Sequence, residues 1–192
     1  MISGEKIRTY LDLAEAYSVS RRYFLIGFFD GLLAIAGFIV GAFISGHNDP
    51  KLVLSVGFAT MLAIGISSAW GAFEAERIEQ QFLKRKRERH MLSSFERSLI
   101  EDAHKFAILI TSAVHGIAPV LGSIVLMAPY FFLPPLEAFE ASMAIFCLSL
   151  FIVGVFMGRN VGGNVLINGL RTLLFGFFVM LLVIFLNPAH VI

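Results

Sequence analysis

Cysteine and charge are what this 192-residue chain has least of: one Cys, and 15% Asp, Glu, Lys and Arg together. Each shortage excludes a class of answer. With Cys147 alone, neither an intrachain disulfide nor a Cys-based zinc site is possible, and its place inside an apolar run reads as a small packed thiol. So few charges against 57% hydrophobic residues, 20 of them Phe, and a mean hydropathy of +0.81 exclude a water-soluble domain of this size. A net charge of +1, with no basic face interleaved with aromatics, excludes nucleic acid as a partner. Also missing are a Ser/His/Asp order, a His-x-x-x-His pair and a phosphate loop. His47, His90, His104, His115 and His190 are too scattered to form a site by spacing, so the chain is not expected to be an enzyme or to hold a permanent cofactor. No apolar run precedes residue 22, which predicts no cleavable signal peptide and a first hydrophobic run that serves as its own insertion signal.

What is present is five apolar stretches, at 23–45, 52–73, 106–133, 137–157 and 165–187, each near the roughly 20 residues a helix needs to cross a bilayer core. The breaks "SGHNDPK" (45–51), "LPP" (133–135) and "GRNVGGN" (158–164) are rich in Gly, Pro and Asn. The remaining connection, 74–105, has neither Gly nor Pro and is highly charged, which predicts a helical hairpin carrying both flanking spans into water. Ser93 with Glu96, or Ser98 with Glu101, supplies a capping-box restart. The fold expected is an all-α integral membrane protein of five transmembrane helices with a cytoplasmic helical hairpin between the second and third. Its parts are an amphipathic interfacial segment at 1–21, spans one and two at 22–73, the hairpin at 74–105, spans three to five at 106–187 and a tail at 188–192. In the first part Ile7, Tyr10, Leu11, Ala14 and Tyr17 share one helical face suited to a membrane surface.

If the spans alternate, 14 of the 15 Lys and Arg residues fall on one side and only Lys51 on the other. The positive-inside rule then puts the N-terminus and hairpin in the cytoplasm and the C-terminus outside. The "KRKRER" cluster at 84–89 reads as a topology signal on a solvated helix, with attraction to anionic lipid as the alternative.

Within the first span, "GFFDGLLAIAGFIVG" (27–41) holds a single carboxylate, Asp30. It follows Arg22 by eight residues, about 12 Å of helix. An Asp near the middle of a membrane helix costs roughly 2.5–3.5 kcal/mol on the insertion scale, so something must offset it. The structural options are protonation or an ion pair with Arg171. The functional one is an ion path or proton relay, the usual setting of an intramembrane acid. Gly27, Gly31, Ala34 and Gly41 form a small-residue stripe beside Asp30, and such stripes let helices approach closely, here another helix or a second copy in a dimer.

Pro119 in the third span removes an amide and crowds the carbonyl of His115, which makes His115 a candidate ligand or proton carrier. Glu76 and Glu79 on one side of the hairpin, with Glu101, Asp102 and His104 on the other, offer oxygen and imidazole ligands suited to Fe²⁺ or Mn²⁺, although ordinary surface pairing, such as Glu101 with Arg97 and Lys105, competes for them. Met61, seven residues before Ser68 in span two, is the one methionine singled out for the path.

"IGFFDGLLAIAG", "GFATMLAIGISSAWGAF", "AVHGIAPVLGSIVLMAPY" and "GLRTLLFGF" resemble, in that order, segments of the vacuolar iron transporter family over most of residues 22–187. The resemblance implies a homodimer in the lipid bilayer that exchanges a divalent metal, Fe²⁺ or Mn²⁺, for protons along a path lined by the first spans, with Asp30 of the "DGL" motif binding the ion. Phe29 stands where that family has Asn, and Ser67, Ser68 and Ala72 stand where it has Ser-Met and a later Glu. The loss of the thioether weakens a soft-ligand preference for Fe²⁺ and leaves Mn²⁺ open. The function expected is a secondary transporter moving Fe²⁺ or Mn²⁺ out of the cytoplasm through a path containing Asp30, Met61, Ser68 and His115, in a prokaryotic cell membrane. The competing expectation is a dimeric membrane scaffold with Asp30 neutral or paired to Arg171.

Overall fold

A computed structural model describes residues 16–91, 99–161 and 164–187, with side chains described at 17–86, 104–159 and 164–187. Five long helices account for nearly all of it: α1 (Ala16–Ile44), α2 (Pro50–Met91), α3 (Leu99–Met127), α4 (Pro135–Val161) and α5 (Val165–Phe185), with a 3-10 turn at Ala128–Phe131 after α3. All five are long and apolar enough to cross a membrane, and the chain is a multi-pass integral membrane protein.

The helix ends follow local chemistry. α1 stops at Gly46, whose φ of +72° is the left-handed conformation that glycine adopts without strain. The His47 amide reaches back to the Ala42 carbonyl (2.9 Å) and the Gly46 amide to Phe43 (3.1 Å), closing the helix with a Schellman-type pair. α2 restarts with Pro50 in its first turn, where the missing amide costs nothing, and Asp49 accepts from the Leu52 amide (3.2 Å). α5 is capped by Asn164, whose side chain accepts from the amides of Leu166 and Ile167.

α1 begins seven residues earlier than the apolar run, and α2 continues unbroken to Met91 through the charged stretch that follows the second span. At 1.5 Å per residue the 42 residues of α2 extend about 63 Å, twice the thickness of a bilayer core. The proposed turn at 92–98 and the interfacial segment before Ala16 lie outside the described residues.

The chain divides into two compact units. One comprises residues up to Gly27 with Gly65–Ala118; the other comprises Phe28–Ile64 with Pro119 onward. The second contains the main apolar core, centred on the fully buried Leu32, Ile35, Ile39, Val53, Leu126 and Leu150. Glycine sets its helix spacing. A Cβ added to Gly31 would fall 2.6 Å from Pro119 Cα, and one added to Gly122 would fall 2.5 Å from the Phe28 carbonyl oxygen, so α1 and α3 touch backbone to backbone. Gly154 of α4 makes room for the Asn168 carbonyl and the Thr172 hydroxyl of α5, and Gly158 for the Asn168 side chain. Buried hydroxyls are satisfied by backbone: Ser142 donates to the Leu126 carbonyl in the last turn of α3 (2.7 Å), and Ser123 donates to that of Pro119 (2.7 Å). Tyr130 donates to Asn48 (2.7 Å), which donates in turn to the Pro135 carbonyl (2.7 Å), tying the α1–α2 turn to the start of α4.

Candidate functional site

Asp30 lies on the exposed face of α1. At 100° per residue, the buried Leu32, Ile35 and Ile39 lie roughly 140–200° around the helix from it, so the acid points away from the core of its own chain. The same face carries Ala34, Gly37 and Gly41, all half-exposed. Asp30 takes part in polar interactions within the chain. Arg171, its candidate partner, is exposed.

This geometry corrects the small-residue stripe. Gly27 and Gly31, expected at a subunit seam with Ala34 and Gly41, are buried within the chain. Gly31 is occupied by α3, because Pro119 approaches its backbone too closely for any second helix to share that face. Ala34, Gly37 and Gly41, in line with Asp30, are half-exposed, with Val183 of α5 and the following Asn187 within 4 Å of where a Cβ on Gly37 and Gly41 would lie. Periodicity groups Gly27 and Gly31 with the other small residues, but only packing reveals which flank α3 covers.

The other expected path residues divide between the units. Met61 is buried (5% exposed) in the unit with Asp30, whereas Ser68, Glu76 and His115 belong to the first unit, where Ser68 is half-buried. There a residue that the sequence reading passed over, Tyr23, links two of the candidates. Its phenol donates to Glu76 Oε1 (2.9 Å), and its backbone carbonyl lies 2.9 Å from His115 Nδ1. The His115 ring leans on the Tyr23 ring, with centroids 4.9 Å apart and planes at 54°. A carbonyl oxygen only accepts, so Nδ1 carries the proton in this bond. Three helices thus place an imidazole and a carboxylate around one tyrosine. Residues separated by 53 and 92 positions leave no periodic signal, and Tyr23 read simply as an aromatic at the start of a span.

Of the acids expected in the hairpin as ligands, only Glu76 and Glu79 have described side chains. Spacing put Glu76 and Glu79 on one face as co-ligands, but Glu76 is half-buried against Tyr23 while Glu79 is exposed. The hydrogen bond to the phenol draws Glu76 inward and leaves Glu79 in solvent. Among the described residues, no three His, Cys, Asp or Glu side chains converge as a metal site. His104 is half-buried and engaged with a neighbour; the side chains of Glu101 and Asp102 lie outside the described set. Glu74 points away to Arg77 (3.0 Å), an exposed pair worth about 0.3–0.5 kcal/mol.

The VIT family model matches residues 21–105, a stretch that contains Asp30, Met61, Ser68, Tyr23 and Glu76. Over that stretch the chain is similar to the VIT family. Two similar proteins extend the likeness. An uncharacterized protein of Methanocaldococcus jannaschii is 29% identical over 78% of this chain and 79% of its own length. Vacuolar iron transporter 1 of Tulipa gesneriana is 26% identical over 79% of each. The VIT-family match thus takes in the acid-bearing face of α1 and the Tyr23–Glu76 pair, and it ends before His115.

Proposed function

We propose that the protein is a membrane transporter that moves divalent metal ions, Fe²⁺ or Mn²⁺, out of the cytoplasm in exchange for protons, through a path at a homodimer seam. One observation carries this reading: an intramembrane acid, in the part of the chain matched by the VIT family, faces outward from its own core with Ala34, Gly37 and Gly41 beside it. An Asp directed at lipid is strongly disfavoured, whereas one directed at a second protein surface or a water-filled path is the common case. Small neighbours allow a second α1 to approach within reach of the carboxylate. Two such acids across a seam supply hard oxygen ligands for a dehydrating cation, and the same carboxylates take up protons once the ion has left. Glu79, exposed on the charged continuation of α2, attracts cations toward the path from the cytoplasmic side. The name of the tulip relative supports iron as cargo. The one-sided distribution of basic residues supports an N-terminus inside and a C-terminus outside.

Purified protein in liposomes tests this. Fe²⁺ or Mn²⁺ uptake driven by a proton gradient is expected, and Asp30→Asn, which keeps the shape but not the charge, is expected to abolish it. Folded protein that takes up no divalent ion, or uptake indifferent to Asp30→Asn, would overturn the proposal in favour of a dimeric scaffold.

A further inference from the structure

Phe132, at the tip of the connection between α3 and α4, is 85% exposed, and Phe131, Leu133 and Leu136 around it are exposed as well. Turns that stand in water are polar, so this composition is out of place there. No Asp, Glu, Lys or Arg occurs between Lys105 and Glu137, which leaves the tip no charge with which to select a protein partner. The tip is held firmly. The chain leaves α3 through the 3-10 turn Ala128–Phe131, and the amides of Phe132 and Leu133 both return to the Pro129 carbonyl (3.1 and 2.9 Å). Pro134 and Pro135 then fix two successive φ angles. Tyr130 sets the level of the tip: its phenol donates to Asn48 (2.7 Å), and Asn48 donates to the Pro135 carbonyl (2.7 Å). Asn48 lies beside the exposed Asp49 and Lys51, charged groups that water or lipid headgroups must solvate. Glu137 and Glu140, exposed in the first two turns of α4, lean toward its N-terminus and so toward the same surface. Toward the bilayer centre the apolar surface continues without a break in kind, through the exposed Leu121, Ile124 and Val125 of α3 and Leu148 and Ile152 of α4.

We propose that this tip is a lipid anchor, with Phe131 and Phe132 inserted among the acyl chains just beneath the headgroups of the leaflet opposite the basic residues. Leu133 and Leu136 complete the apolar contact. The charged neighbours of Asn48 put the tip at headgroup level, and its rings put it on the lipid side of that level, a layer in which aromatic side chains are at home and apolar faces settle about 5–10 Å deep. The occupant is the bilayer surface because the tip is continuous with helix flanks that lipid covers and has no free polar side chain to fix the register of a second copy. Through Tyr130 and Asn48 the same anchor ties the α1–α2 turn to that leaflet. Anchoring of this kind is independent of what the protein carries.

Fluorescence quenching in phosphatidylcholine vesicles tests the anchor. Trp70 is the only tryptophan, so Trp70→Phe provides a background without one. In that background Phe132→Trp is expected to emit with a blue shift. Its emission is expected to fall most with lipid brominated near the carboxyl end of the acyl chains, less with lipid brominated near the methyl end, and least with iodide in the water. Phe131→Trp is a second reporter with the same expected order, and it carries the test should Phe132→Trp fail to fold. Leu148→Trp, exposed at the middle of α4, is the depth reference and is expected to reverse the order of the two brominated lipids. Quenching of the tip reporters by iodide, with none by either brominated lipid, would place the tip in water and overturn the anchor. Protection from every quencher in folded protein would mean that a second copy or another part of the chain covers the tip, and overturns it equally. A depth order matching that of Leu148→Trp would place the tip in the bilayer interior and overturn the interfacial position.

Discussion

The two units hold their helices together by different means. In the second, α1 and α3 meet where there are no side chains, at Gly31 on Pro119 and Gly122 on Phe28 and Leu32, and the buried hydroxyl nearby, Ser123, is satisfied by a carbonyl. The first also uses a close glycine contact, Gly116 on Ala69 and the Gly65 carbonyl, but adds long polar side chains that titrate. A backbone contact has one geometry and resists change. Hydrogen bonds among Tyr, Glu and His have alternatives, because protonation or a bound ion rewrites their partners. Rigidity is therefore expected where the core sits, and responsiveness where Tyr23 sits.

The strongest way to break this contrast is to add one methyl group to the rigid unit. In Gly31→Ala the new Cβ overlaps the Pro119 backbone, which cannot rotate away. Overpacking of a tight core costs about 1–3 kcal/mol when side chains absorb it, and a backbone clash exceeds that. Gly176→Ala is the control, since its new Cβ meets the tip of Leu150, a flexible side chain. Cys147, the sole cysteine and packed against the core, provides the readout through its reaction with a thiol-sensitive dye on heating. Gly31→Ala is expected to lower the melting temperature sharply or to prevent recovery of folded protein, and Gly176→Ala to lower it by much less. Equal losses would show that α1 and α3 are not locked at this crossing.

A smaller effect is expected in the first unit. Tyr23→Phe removes one hydrogen bond to a carboxylate while keeping the ring against His115, at a cost of about 1.5–3 kcal/mol if Glu76 is ionised. Thermal melts should therefore place Tyr23→Phe below the wild type by less than Gly31→Ala, and an unchanged melting temperature would mean that the phenol only packs.

Much of the architecture was legible because hydropathy and turn chemistry act locally. "SGHNDPK", "LPP" and "GRNVGGN" each contain the Gly, Pro or Asn that ends one helix or caps the next, and the breaks occur there. Asp30 was legible as an anomaly of composition. The partner of each face was not. Gly31 read as part of a seam for another helix or for a second copy, and α3 is the helix that meets it; the helix pattern gives the face but not its neighbour. Tyr23 was missed for a related reason: its significance lies in two contacts across long sequence separations, one of them made by a backbone atom that every residue possesses. The GxxxG pair Gly154 and Gly158, used between α4 and α5, was visible in principle as a small-residue spacing.

The gentlest test concerns a glycine that packs against nothing. Gly71 lies inside α2, exposed, with no atom within 4 Å of the position its Cβ would take. Glycine in a helix interior is less favourable than alanine by about 0.8–1.0 kcal/mol in water, chiefly through backbone entropy. If the first unit is the adaptable one, Gly71→Ala should raise the melting temperature slightly while slowing metal uptake, because it stiffens α2 one residue before Ala72 and five before Glu76. A stabilised protein with unchanged uptake would mean that α2 already moves as a rigid rod and that the adaptability resides in the Tyr23 contacts alone.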